Sequence, residues 1–123
     1  MRWYRLAADQ GYARAQFSLG LRYTNGLGVP QDDAEAARWI RLAADQGHAI
    51  AQFNLGFAYA RGEGAPQDYV QAHMWYNLSA SRRTSEMRAT AVEFRDDVAG
   101  RMTPAQITEA QRLATEWDAA HPR

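Results

Sequence analysis

An all-α fold, a solenoid of helix–loop–helix repeats closed by a C-terminal helical hairpin cap, is predicted by three observations on the 123-residue sequence. The chain matches itself when shifted by 36 residues, as from Trp3 to Trp39. Apolar residues inside each copy recur at helical spacing, and glycine, proline and aspartate return at the same places between them. Under the shift, Arg5-Leu6-Ala7-Ala8-Asp9-Gln10-Gly11 becomes Arg41-Leu42-Ala43-Ala44-Asp45-Gln46-Gly47. Ala15-Gln16-Phe17, Leu19-Gly20 and Tyr23 become Ala51-Gln52-Phe53, Leu55-Gly56 and Tyr59. Gly26, Gly28 and Pro30-Gln31-Asp32 return as Gly62, Gly64 and Pro66-Gln67-Asp68, and Ala36, Trp39, Leu42 and Ala44 as Ala72, Trp75, Leu78 and Ala80. The likeness fades after Ala80, so residues 1–81 read as repeats and 82–123 as capping helices of one continuous domain.

The first unit enters partway, because Met1 aligns with Ala37 and nothing corresponds to Asp32 through Ala36. Trp3, Tyr4 and Leu6 are therefore expected to form an uncovered apolar edge, and a homodimer through this end is the expectation that follows. The next helix carries Ala15, Leu19 and Tyr23 at successive four-residue steps, with Gly20 beside them where a neighbouring backbone can approach. Gly26 stands where a left-handed C-cap ends the helix. Pro30 biases Val29 toward an extended conformation, and Asp32 follows as an N-cap with Glu35 three residues on. The second helix of the unit has Ala36, Trp39, Leu42 and Ala43 as its apolar stripe, a surface pair of Glu35 with Arg38, and closes at Gly47. The next unit repeats this plan, with Asp68 and Gln71 at the capping spacing.

Two longer patterns follow. Thr84 or Ser85 starts one, whose stripe is Met87, Ala91, Phe94 and Val98 and whose end is near Gly100. The other opens on Thr103, Pro104 and Gln106, an N-cap, a first-turn proline and a capping-box partner, and carries Ile107, Ala110, Ala114 and Trp117. About seven helices and no strand result, the last pair forming the hairpin that caps the final repeat.

Composition removes several chemistries. Without cysteine there is no disulfide framework, thiolate metal site or cysteine nucleophile, and without lysine no Schiff base or Ser-x-x-Lys pair. Fourteen arginines meet fourteen acids, seven against seven both before and after Arg82 when that arginine is counted with the second part. Such a balance lacks the basic excess of a nucleic-acid or anionic-membrane footprint. No apolar run reaches the length of a membrane span, and Met1-Arg2-Trp3-Tyr4-Arg5 lacks the apolar stretch of a signal peptide. The compartment stays open.

The candidate catalytic groups read as structural. His48, His73 and His121 are scattered, and His48 takes the place of Tyr12 at the inter-repeat turn. Asp32-Asp33 and Asp96-Asp97 are adjacent, so on a helix each pair points about 100° apart; Asp32 serves as a cap and Asp97 as a partner for Arg101. The Gly26-x-Gly28 and Gly62-x-Gly64 loops follow no strand and lead into an aspartate that repels phosphate. Arg82-Arg83 reads as a solvated turn among balancing acids. Trp3, Trp39, Trp75 and Trp117 would suit a sugar or choline platform, but their spacing inside apolar stripes assigns them to the core. No motif implies a cofactor, a metal or a catalytic residue.

The pattern Ala-x-Ala-Gln-Phe-x-Leu-Gly-x-x-Tyr-x-x-Gly-x-Gly-x-Pro-Gln-Asp, present at residues 13–32 and, with its glycines and proline kept, at 49–68, resembles the Sel-1-like repeat, a relative of the tetratricopeptide repeat with a longer inter-helix loop. Arg95-Asp96-Asp97 through Arg101-Met102-Thr103-Pro104 to Trp117 resembles the tail that closes bacterial members. The resemblance implies a right-handed solenoid acting as an adaptor or scaffold for other proteins, with the first helix of each repeat lining a concave surface. Cysteine-rich relatives associated with β-lactam chemistry provide no precedent here, since their cysteines are missing.

With Ala15, Leu19, Gly20 and Tyr23 inward, the opposite side of the first helix holds Arg14, Phe17, Ser18, Leu21, Thr24 and Asn25. Its successor holds Ile50, Phe53, Asn54, Phe57, Ala60 and Arg61. Arg14/Ile50, Leu21/Phe57 and Asn25/Arg61 diverge where packed positions stay alike, and Leu21 and Phe57 stay large and apolar where exposure is expected. These residues are the candidate face for an extended peptide or a partner's helix. The competing reading is a small enzyme or a glycan-binding envelope protein that uses the tryptophans.

Overall fold

Six helices and no strand run through the residues that the computed structural model describes, 12–26, 32–63, 66–81 and 85–121, with the side chains of Asn25, Asp33, Ser85 and Glu86 excepted. They are α1 (Ala13–Asn25), α2 (Asp33–Asp45), α3 (Ala49–Arg61), α4 (Tyr69–Ser81), α5 (Ser85–Ala99) and α6 (Pro104–Ala120). Trp3, Tyr4 and Leu6 lie outside the described residues, as does the helix expected around them.

Local chemistry sets the helix ends. Gly26 and Gly62 both adopt φ 70°, and their amides donate to the carbonyls of Arg22 and Ala58, closing α1 and α3 in the left-handed conformation that glycine adopts without penalty. Asp32 Oδ1 accepts from the Glu35 amide and Asp68 Oδ1 from the Gln71 amide, each at 3.1 Å. Thr103 and Gln106 form the full reciprocal capping box, with Pro104 at the start of α6. His48 is an N-cap too, its Nδ1 accepting from the Ala51 amide. The connectors are tied back in the same way in both units, Asp32 N–H to the Tyr23 carbonyl and Asp68 N–H to the Tyr59 carbonyl.

The period outlives the sequence likeness. Helices α1, α3 and α5 begin at residues 13, 49 and 85, so α5 stands in register as a third first helix. Its partner departs from the plan. Only Gly100–Thr103 joins α5 to α6 in place of the seven-residue connector, and α6 turns back over the previous unit. Helices α5 and α6 cap the last repeat by both lying along α4, and they scarcely touch one another. As a result α4, which carries no charged residue, is buried at Ala72, His73, Met74, Trp75, Tyr76, Leu78, Ser79 and Ala80, on all of its faces.

Packing within each unit is tight at the two mid-helix glycines. A methyl group at Gly20 would lie 2.6 Å from Ile40 Cγ1, and one at Gly56 would lie 2.8 and 2.9 Å from the Tyr76 ring. Close approach of α1 to α2 and of α3 to α4 therefore offsets the roughly 1 kcal/mol that glycine costs inside a helix. Buried Gln52 donates to the Ala44 carbonyl, fastening α3 to the end of α2.

Leu42 corrects the expected stripe of α2: it is 37% exposed, whereas its counterpart Leu78 is 2% exposed. The difference comes from α6, which lies along α4 only. Ile40 takes the inward role on α2 instead. On α5, Ala91 and Val98 are buried while Met87 and Phe94 are partly open to solvent.

Candidate functional site

Helices α1 and α3 present the candidate face, but its residues divide into three groups. Arg14, Ile50 and Arg61 are exposed, and the Ser18 hydroxyl donates to the Arg14 carbonyl along the helix. The Asn25 side chain lies outside the described residues. Phe17 and Phe53 pack inward and do not belong to an unused face: the Phe17 ring lies 4.7 Å from that of His48, and the Phe53 ring 5.3 Å from Tyr76 and 5.0 Å from Phe94. A first helix in a stack has neighbours on two sides, its own second helix and the adjoining first helix, so a single apolar stripe underestimates what it buries.

Leu21, Asn54 and Phe57 are half-buried and line a common cavity of about 260 Å³. Leu21 and Thr24 come from α1, Ala36, Ala37 and Ile40 from α2, and Asn54, Phe57 and Ala58 from α3, with Glu63 at the rim. Phe57 also forms a wall of a second, more polar cavity of about 390 Å³, toward α5, lined by Arg61, Gln67, Tyr69, Tyr76, Phe94, Asp97 and Arg101 among others. The Arg61 guanidinium rests over the Phe57 ring at 4.8 Å. Burial pushes the Tyr76 phenol up to about 12, against a smaller lowering by Arg61 and with a further rise from Asp97, so it stays protonated.

Sequence reasoning missed Ala37, Ala58 and Arg101 as cavity residues. Ala37 was discoverable, since the repeat shift sets it against His73, a large change of size at a packed position, whereas the counterpart of Ala58 is Phe94, beyond the point where the sequence likeness fades. His73 is buried between α4 and α5 with no hydrogen-bond partner for Nδ1. Its pKa is held below the ordinary value by burial first and by Arg95 second, with Asp96 opposing.

The described tryptophans do not form a platform. Trp39 and Trp75 are buried, and Trp117 sits edge-on to Trp75 at 5.8 Å and stacks on His121 at 3.9 Å. Trp3 lies outside the described residues. Among the described residues no group of three His, Asp or Glu side chains is placed to hold a metal ion, and no helix is long and apolar enough to cross a membrane.

Stacked helix pairs with a fixed 36-residue register define an α-helical repeat solenoid. The chain belongs to the Sel1 repeat family, whose pattern it matches over residues 1–12, 13–48 and 49–83. It is similar to the crystal structure of c5321, described as a protective antigen of uropathogenic Escherichia coli strains displaying an SLR fold. That match has a TM-score of 0.88 and 35% identity, and it covers 98% of this chain and 25% of the other. A Sel1 repeat protein from Oxalobacter formigenes aligns with a TM-score of 0.69 and 31% identity, over 94% of this chain and 53% of that one. The chain thus spans about a quarter and about half of these two relatives. A comparison with curated proteins returned no match.

Proposed function

We propose that this chain is a non-enzymatic adaptor that holds a segment of a partner protein, an extended peptide or a helix, against the face of α1 and α3. Sel1 repeats are generally protein-interaction modules, and the family membership supports that part of the reading. The observation that carries it is the pair of open cavities meeting at Phe57 on the first helices, one apolar and one polar. Burial of Trp39 and Trp75 weighs against a glycan-binding or tryptophan-based catalytic role.

Charge supports the same face. The charged residues that α1 and α3 place on this face are Arg14 and Arg61, and neither helix contains aspartate or glutamate, although the chain as a whole is neutral. Affinity capture with the intact chain, compared with an Arg14→Glu, Arg61→Glu variant of equal thermal stability, tests the reading. Partner recovery should fall by about ten-fold or more in the variant, the change expected from reversing charges at an interface. Undiminished recovery would place binding on another surface.

A further inference from the structure

We infer that the cavity between α1 and α3 receives an aromatic side chain of the partner, and that the adjoining cavity receives a carboxylate carried close to it in the same segment. This rests on the binding face proposed above and adds the chemistry of its ligand.

The molecule contains its own version of the aromatic contact. Phe94 of α5 lies against Phe53, Phe57 and Tyr76, with ring centroids 5.0, 6.4 and 5.8 Å away, and so occupies the apolar side of the slot between α3 and α5, beside the second cavity that it lines. One repeat earlier the residue at this position is Ala58, 36 residues before Phe94, and it lines the slot between α1 and α3. The counterparts of Phe57 and Tyr76 there are Leu21 and Ile40, both also lining the cavity. The first slot thus keeps two of the three apolar walls of the second without the ring that rests on them. At about 260 Å³ it falls below the roughly 300–1,000 Å³ of small-molecule sites and suits a single side chain.

Charge then separates the two cavities. Glu63 at the rim of the first disfavours a carboxylate there. In the second, Arg61 and Arg101 stand against one acid, Asp97, and neither arginine forms an ion pair with a described residue. Phe57 walls both cavities, so an aromatic group and a carboxylate on one short segment reach them together. The arginine-only helices α1 and α3 extend the same complementarity beyond the cavities.

NMR titration of the full chain with three capped synthetic peptides in a glycine-serine host tests this. One carries a phenylalanine flanked by two glutamates, one replaces the phenylalanine with alanine, and one replaces the glutamates with lysines. The first should shift the amide resonances of Leu21, Ala37, Phe57 and Arg61, and each of the others should bind about ten-fold more weakly or worse. Ala58→Phe plugs the cavity from within and should reduce binding to the level of the alanine peptide, without lowering the melting temperature. Ala37→Leu narrows the same cavity from α2 and stands in should Ala58→Phe not fold. Arg61→Gln with Arg101→Gln should abolish the preference for glutamate over lysine and keep that for phenylalanine over alanine. Equal affinity for all three peptides, shifts on another face, no binding at millimolar peptide, or full binding by Ala58→Phe each overturns the inference. Partner capture that is lost in the Arg14→Glu, Arg61→Glu variant but unchanged in Ala58→Phe would sink the aromatic slot and leave the binding face standing. Capture unchanged in both would remove the two together.

Discussion

Leu42 and Leu78 hold the same place in successive repeats of one pattern, and yet one is 37% exposed and the other 2%. Around them the same divergence recurs. The first unit has Ala37, Ile40 and an apolar cavity; the second has His73, Tyr76 and the Phe94 ring beside a more polar one. Both units share caps, connector hydrogen bonds and mid-helix glycines, so the local rules are equal. What differs is cover: α3 lies along α2 as α5 lies along α4, but among the described residues no helix does for α2 what α6 does for α4. A repeated sequence fixes what each unit can form, and its neighbours decide which of its surfaces become interior.

The widest expected contrast is between the two leucines. Leu78→Ala should cost about 3 kcal/mol, since it leaves a cavity inside a closed cluster with Trp75 and Ala114. Leu42→Ala should cost under about 1 kcal/mol, as partly exposed sites usually do. Urea denaturation of both variants measures this, and equal losses would mean that α6 does not provide the cover described.

The glycine pair sharpens the comparison at smaller scale. Gly56→Leu should destabilise by roughly 2–3 kcal/mol, because displacing the Tyr76 ring toward the polar cavity it borders breaks its packing on Phe53 and Phe94. At Gly20 the obstacle is Ile40, which borders the open cavity and can move into it, so Gly20→Leu should cost only about 1 kcal/mol. Thermal melts of the two variants would break the argument if the order were reversed.

The most selective effect belongs to His73. Its folded-state pKa lies below the ordinary value of 6.5, so in the window beneath 6.5 the unfolded chain binds more protons than the folded one. Stability is therefore complete above that value, falls as pH drops below it, and levels off once pH passes the folded-state pKa. The groups facing His73 are Arg95, which adds to the lowering, and Asp96, which opposes it. His73→Gln should remove this part of the pH dependence, and denaturation curves from pH 7 to pH 5 would show it. The counterpart Ala37 has nothing to titrate, so this position of the first unit contributes no such effect.

Much of the fold was legible because it depends on short-range chemistry. The caps at Asp32, Asp68 and Thr103, the stops at Gly26 and Gly62, and the inward Trp39 and Trp75 follow from spacing and residue type. The exposure of Leu42 was not legible, for it depends on where α6 lies, and α6 begins 62 residues later, from Leu42 to Pro104. Phe17 and Phe53 were misplaced because a helical stripe has one inside, whereas a helix within a stack has two. The candidate face was legible only as far as its helices, and the apolar cavity arises from missing volume at Ala37 and Ala58, which a search for reactive or aromatic residues passes over.

The burial of α4 on all faces also bears on how the molecule opens. In a plain array each unit is coupled to its nearest neighbours, and ends can fray while the rest persists. Here α6 reaches past α5 to hold α4, which links helices that a linear stack would leave independent. Releasing α4 thus requires α3, α5 and α6 to part from it in one event. Amide hydrogens of α4 should exchange only through global unfolding, with those of α2 exchanging earlier through partial opening. The half of the molecule with the apolar cavity is then also the half that breathes, and the other serves as its anchor.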